Sequence, residues 1–156
     1  MSDSLVLPIR EGRKPKTTTS LPHSQLTQHG PEAVLEQLRK WCFELPHVRE
    51  ESSGISVPGA QALILDAGVS ANQAAFMVGR EFAHIHPPPD DGSMHVQLPA
   101  ADAVVVEQQG WGQPHHLVVR GRLPPGLTLV FSPRDHHELE VIKSIVKRAY
   151  AWALSL

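Results

Sequence analysis

The sequence predicts an α+β fold in a single domain, a mostly antiparallel sheet packed by two or three helices. Three observations carry that expectation. Two stretches, 32–45 and 139–153, repeat apolar residues at three and four positions, the spacing of one helical face. Between them lie short apolar or alternating runs bounded by Gly, Pro, Asp and Ser, the pattern of strands joined by turns. The order helix, strands, helix, strands, helix within 156 residues suits one core with helices on a sheet.

Residues 1–29 hold Arg10, Arg13, Lys14 and Lys16, then Thr17-Thr18-Thr19-Ser20, without a helical period. They read as an extended or partly disordered arm. The alternative is a segment wrapped over the fold that brings Arg10 or Arg13 to a site. The domain proper then spans 30–156. Pro31 and Glu32 open a helix, Val34, Leu35, Leu38, Trp41, Cys42 and Leu45 give its apolar face, and Pro46 stops it. Residues 47–57 read as a loop followed by a short strand, 60–65 as a core strand and 66–73 as a turn.

Residues 74–78 lead into a strand on which alternation places Phe82, His84 and His86 on one face. Pro87 to Gly92 cannot continue a central strand, and Asp90-Asp91-Gly92 favours a reversal. The returning strand, 93–98, sets His95 and Gln97 on one face and Met94, Val96 and Leu98 on the other. Residues 99–109 read as a helix, with strand the competing reading because of Val104-Val105-Val106. Gly110-Trp111-Gly112 makes a constrained turn that can present the indole to a cavity. A short strand at 117–119, a turn at 123–126 and a buried strand at 127–132 follow. Asp135 and Glu138 form a capping-box pattern before the last helix.

Composition narrows the function. A hydrophobic share of 41% and a charged share of 19% are those of a globular protein, and a net charge of −2 gives no reason to expect nucleic acid or a membrane surface. One cysteine, Cys42, excludes a disulfide framework and a multi-thiolate zinc site. No apolar run reaches the ~20 residues of a membrane span, so a cytoplasmic location is the expectation.

The anomaly is ten histidines, seven of them between His84 and His137. If the two central strands pair, His84, His86 and His95 converge on one patch. Two chemistries fit such a patch. It can do metal-free acid–base work, because imidazole titrates near neutral pH. It can also ligate zinc, iron or copper through His84, His86 and His95. Simple alternation puts Glu81 on the face opposite His84, where it would pair with Arg80 or orient another group. His136 and His137 fall in the first turn of a helix, where the dipole disfavours a cation, and read as exposed and non-catalytic.

Four ordered motifs carry a resemblance: Arg80-Glu81-x-Ala83-His84-x-His86, Met94-His95-x-x-Leu98, Gly110-Trp111-Gly112-Gln113-x-His115 and Ser132-Pro133-Arg134-Asp135. Together they resemble the fungal luciferase family, and Leu7-Pro8-Ile9-Arg10-Glu11-Gly12 resembles the segment that precedes the domain there. Fungal luciferases oxidise a 3-hydroxy-α-pyrone, hydroxyhispidin, with molecular oxygen, and an N-terminal helix anchors them in the membrane. His116 stands where the family usually has proline. The resemblance implies an O2-dependent oxygenase acting on a hydroxy-α-pyrone or similar enolisable small molecule, with no bound cofactor. Alternation, turn placement and resemblance together nominate His84, His86, His95, His115 and Arg134 as catalytic. They nominate Arg80, Glu81, Gln97 and Trp111 as substrate-binding, with Arg80 or Arg134 on the developing oxyanion and Trp111 as an aromatic wall. The alternatives are a metal-dependent enzyme or metal-binding module built on the same histidines, and a non-catalytic small-ligand binding protein.

Overall fold

Both amphipathic runs are helices, α1 (Glu32–Phe43) and α4 (His136–Leu154), in the computed structural model, which describes residues 3–154. Val34, Leu35, Leu38 and Cys42 are buried from α1, and Leu139, Ile142, Ile145, Val146 and Ala149 from α4. The Glu138 N–H donates to Asp135 Oδ1 at 2.8 Å, so the expected cap of α4 forms.

These helices cover one face of a six-stranded sheet of β1 (Val48–Ser52), β2 (Gln61–Leu65), β3 (Glu81–Ile85), β4 (Met94–Gln97), β5 (Gly112–Pro114) and β6 (Leu127–Val130). The spatial order is β1-β2-β3-β4-β6-β5, and every neighbouring pair is antiparallel. Helix α2 (Ala100–Gln108) packs beside β5 and β6, and its Asp102 takes two hydrogen bonds from Arg148 of α4, at 2.9 and 3.0 Å. Gly112 lies so close to β6 that a Cβ there would run into the Leu129 carbonyl, which is why a glycine starts β5.

Alternation divides the sheet cleanly. Leu63, Ala83, Ile85, Met94, Val96 and Val130 join the helices in the core. The opposite face presents a row set by the pairing Ala62↔His84, His84↔His95, His95↔Leu129 and Leu129↔Gln113. Residues 17–25 of the N-terminal arm lie over that row: Gln113 Nε2 donates to Thr17 Oγ1 at 3.1 Å, and the His23 ring centroid is 5.4 Å from that of His95.

Of the readings the sequence left open for this arm, residues 3–29 follow the extended one, tied to the fold at several points. Leu5 and Leu7 are buried in the core cluster. The Arg10 N–H donates to the Gln109 carbonyl at 2.9 Å, and Trp111 Nε1 donates to the Pro8 carbonyl at 2.6 Å. Thr17 and Gln25 form a β-bridge, and the Gln25 side-chain oxygen accepts from the Ser132 N–H at 2.8 Å. Composition alone reads such a segment as loose because its anchors are scattered single residues rather than a periodic face.

Two local expectations also change. In 47–57 the strand comes first and the loop second. As a sheet edge, β1 is held by its ladder to β2 and leaves most side chains in solvent, so it carries no apolar alternation to read. Residues 117–119 are not a strand but part of the short helix α3 (His116–Val119), started by His115 Nδ1 accepting from the Leu117 N–H at 3.0 Å. Of the competing readings for 99–109, helix holds.

Candidate active site

A β-bulge shapes the centre of the site. Leu63 pairs with Ala83 but Ile64 pairs with Glu81, so β3 carries one extra residue there. The insertion reverses the alternation below Ala83. Phe82 consequently turns into the core near Tyr150, not onto the histidine face as alternation implies. Glu81 turns the other way and joins the histidines. Its Oε2 lies 2.7 Å from His84 Nδ1, and it also accepts from the Ser53 hydroxyl (2.7 Å) and the Gly54 N–H (3.0 Å). Of the two roles open to Glu81 from the sequence, it orients another group, His84, while Arg80 donates to backbone carbonyls instead.

Around Glu81 the hydrogens can be assigned by donor logic. Burial alone would raise the Glu81 carboxyl, but the hydrogen bonds from His84, Ser53 and Gly54 hold it below its usual range. It is therefore a carboxylate, His84 Nδ1 carries the hydrogen, and His84 Nε2 is a lone pair. Ser93 donates its hydroxyl hydrogen to Asp90 Oδ1 at 2.7 Å. It must then accept from His86 Nδ1, 2.8 Å away, so His86 Nε2 has a lone pair too. Both Nε2 atoms lie 3.1 Å from one atom, His95 Nδ1. All three histidines are at most 6% exposed.

Two further imidazoles complete the cluster. The arm inserts His23, 2% exposed, with its Nδ1 3.5 Å from His95 Nε2 and its Nε2 2.7 Å from the Gln113 amide nitrogen. His115 sits with its ring centroid 4.8 Å from that of His95 and 5.3 Å from that of His23. These rings form the floor of a cavity of about 900 Å³. Residues 18–26 of the arm make one wall, and Val57, Pro87, Pro88, Leu117 and Leu127 belong to the others. Leu21, Leu26 and Ile55 line it while roughly half exposed, an apolar rim at its mouth.

The nominated residues separate into two groups. His84, His86, His95 and His115 come together as expected, and Glu81 joins them. Arg80, Arg134, Trp111 and Gln97 do not line the cavity. The Arg80 guanidinium is spent on the carbonyls of Leu65, Asp66 and Val69, at 2.9, 2.6 and 2.6 Å. Arg134 binds Glu138 on α4 and the Glu11 carbonyl of the arm. Trp111 is 2% exposed within the core cluster. Gln97 shares the histidine face but sits beside Leu127, toward Gly126. Among the described residues no arginine or lysine lines the cavity. His136 and His137 are exposed, as expected.

His23 is the residue that sequence reading missed. It lies in the aperiodic arm, and its one signal is being a histidine in a histidine-rich chain.

Three of these imidazoles, His23, His95 and His115, are held neutral at physiological pH. Burial first, then the neighbouring imidazoles, push His23 down to about 3 and His115 to about 4, and drive His95 well below its ordinary value. The unfolded chain titrates these groups near ~6.5, so below that pH it binds protons that the folded chain refuses. Stability contributed by keeping them neutral is complete above pH ~6.5 and is lost as pH falls toward the folded values. The melting temperature should therefore be flat above neutrality and fall steadily from about pH 6.5 to about pH 4. Thermal melts in buffers of matched ionic strength check this, and a flat profile across that window would contradict the buried, neutral cluster.

Comparison with known proteins places these features. Residues 79–149 match the family model described as the luciferase domain. A luciferase of Armillaria gallica is 27% identical over 164 residues, covering 94% of this chain and 60% of that protein. Luciferases of Armillaria mellea and Neonothopanus nambi match at the same identity and coverage. The chain thus spans about 60% of the length of the curated relatives it matches. No solved structure matches it. No helix among the described residues is long and apolar enough to cross a membrane.

Proposed function

We propose, from the premise that this chain is a member of a fungal-luciferase-like family, that it is an oxygenase for a hydroxy-α-pyrone or similar enolisable small molecule. The observation that carries the reading is the group of five buried imidazoles at the floor of a largely apolar cavity of about 900 Å³. A cavity of that size takes a drug-sized molecule. Its apolar walls and rim suit a flat ring system with a hydrophobic substituent, and the polar floor suits the enol end.

The chemistry asked of the protein is modest. An enol loses its proton, and the resulting electron-rich carbon adds O2. A carbon–oxygen bond forms with two electrons from the substrate, and the terminal peroxide oxygen takes up a proton. No external reductant is needed for that addition. The histidine cluster supplies lone pairs to receive the first proton. His115, whose Nδ1 accepts the Leu117 N–H, carries its hydrogen on Nε2 and can donate to a substrate oxygen. A cytoplasmic location suits a chain whose one cysteine, Cys42, is buried and unpaired.

Oxygen uptake, with light detection alongside, against a panel of hydroxypyrones and related enols tests the proposal. Uptake that requires both an enolisable pyrone and the intact cluster is the expected result. Pyrones that raise the melting temperature without consuming oxygen would leave a ligand-binding protein and remove the oxygenase.

A further inference from the structure

The hydrogen-bond network around His95 has one feature that protons alone do not satisfy. His84 Nε2 and His86 Nε2 both present lone pairs to His95 Nδ1, each at 3.1 Å. His95 Nδ1 carries at most one hydrogen, so it can serve one of them well or both poorly. An unmet acceptor inside a buried cluster is costly. A cation between the three nitrogens satisfies all of them together.

The surroundings have the form that metal-binding histidines take. Each Nδ1 of the first pair is fixed from behind, His84 by the Glu81 carboxylate and His86 by Ser93 and Asp90, whose Oδ2 lies 3.2 Å away. Such partners set the tautomer and orient Nε2 toward an ion. Nitrogens at metal–nitrogen distances of ~2.0–2.1 Å around a tetrahedral ion sit roughly 3.3–3.4 Å apart, close to the 3.1 Å seen. The three ligand atoms all lie within 4.8 Å of one another.

We propose that His84 Nε2, His86 Nε2 and His95 Nδ1 hold one divalent first-row transition-metal ion, with its remaining coordination positions open to the cavity. Three imidazoles suit zinc, iron or copper. The adjacent oxygens of a hydroxy-pyrone enolate would chelate the ion, and that clause alone rests on the oxygenase reading. The ion also supplies what the site otherwise lacks, because no arginine or lysine among the described residues faces the cavity to balance an enolate. In this assignment the three histidines are ligands in place of the free bases of the metal-free reading, and the enol proton passes to solvent water as the substrate oxygens bind the ion. His95 then carries its hydrogen on Nε2, toward His23 Nδ1, and the Gln113 amide turns its oxygen to the His23 Nε2–H.

The test uses the full chain purified without a histidine tag. Elemental analysis should find about one equivalent of a single transition metal. After chelator stripping, a Co2+ titration should give visible d–d absorption with a one-to-one end point. His84→Ala, His86→Ala and His95→Ala should each abolish that absorption, with circular dichroism confirming a folded chain. Glu81→Gln, which leaves all three ligands in place, should weaken Co2+ by roughly 10–100-fold. The exposed His136→Ala variant should bind normally. A folded wild-type chain that carries no metal and gives no Co2+ absorption overturns the proposal, as does binding that survives His95→Ala. Metal binding without oxygen uptake keeps the site and removes the oxygenase. Full uptake by a chelator-stripped chain removes the ion from the reaction and keeps the oxygenase.

Discussion

His95→Ala should lower oxygen uptake by about 10³-fold or more while leaving the chain folded. The position sits at the centre of the row from Ala62 through His84 and Leu129 to Gln113, on the face of the sheet away from the helices. Removing its ring leaves the core of Met94, Val96 and Val130 untouched. The ring also lies within hydrogen-bond range of His84, His86 and His23 at once. Its loss disconnects the cluster whether those nitrogens pass a proton or hold an ion. Loss of a positioned proton acceptor alone costs ~10²–10⁴-fold, and loss of a metal ligand falls at the upper end of that range. Oxygen uptake measured beside thermal melting decides the matter, and a variant within tenfold of wild type would take the cluster out of the reaction. Arg80→Ala is the matching control. Its guanidinium holds three loop carbonyls, so the change should lower the melting temperature and leave the rate per folded molecule intact.

The contrast between these two positions shows what could be read from the sequence. Strand alternation and the Pro87–Gly92 reversal were enough to bring His84, His86 and His95 together, because both act through local backbone geometry. Both amphipathic helices were legible for the same reason, and so was the α+β class. Glu81 was not, because one extra residue in β3 reverses alternation, and the pairing that creates the bulge involves a distant strand. Arg80 and Trp111 lie away from the cavity because their partners are backbone carbonyls of other segments, and Arg134 because Glu138, four residues on, holds its guanidinium. An arginine beside a site looks the same in sequence whether its charge is free or already bound. The largest gap was the arm, whose order depends on contacts no local pattern encodes.

Deleting residues 1–29 should therefore have the largest effect on stability and remove activity altogether. The deletion strips Leu5 and Leu7 from the core. Burial of each such side chain is worth ~1.5–3 kcal/mol. It leaves Trp111 Nε1 and the Ser132 N–H, both otherwise buried, without their acceptors at Pro8 and Gln25, at ~1–3 kcal/mol apiece. A loss of several kcal/mol is a large share of the ~5–15 kcal/mol that holds a domain folded. The deletion also takes away His23 and one wall of the cavity. If the truncated chain fails to fold, Gln25→Ala carries the same argument in a milder form. It frees the Ser132 N–H and loosens the hairpin that positions His23. That variant should stay folded, melt several degrees lower, lose its arm quickly to limited proteolysis, and turn over substrate at least about tenfold more slowly, by the ~1.4 kcal/mol per decade that links rate to barrier. Full stability and full oxygen uptake in the truncated chain would return those residues to what their composition suggests, a loose leader with no part in the cavity.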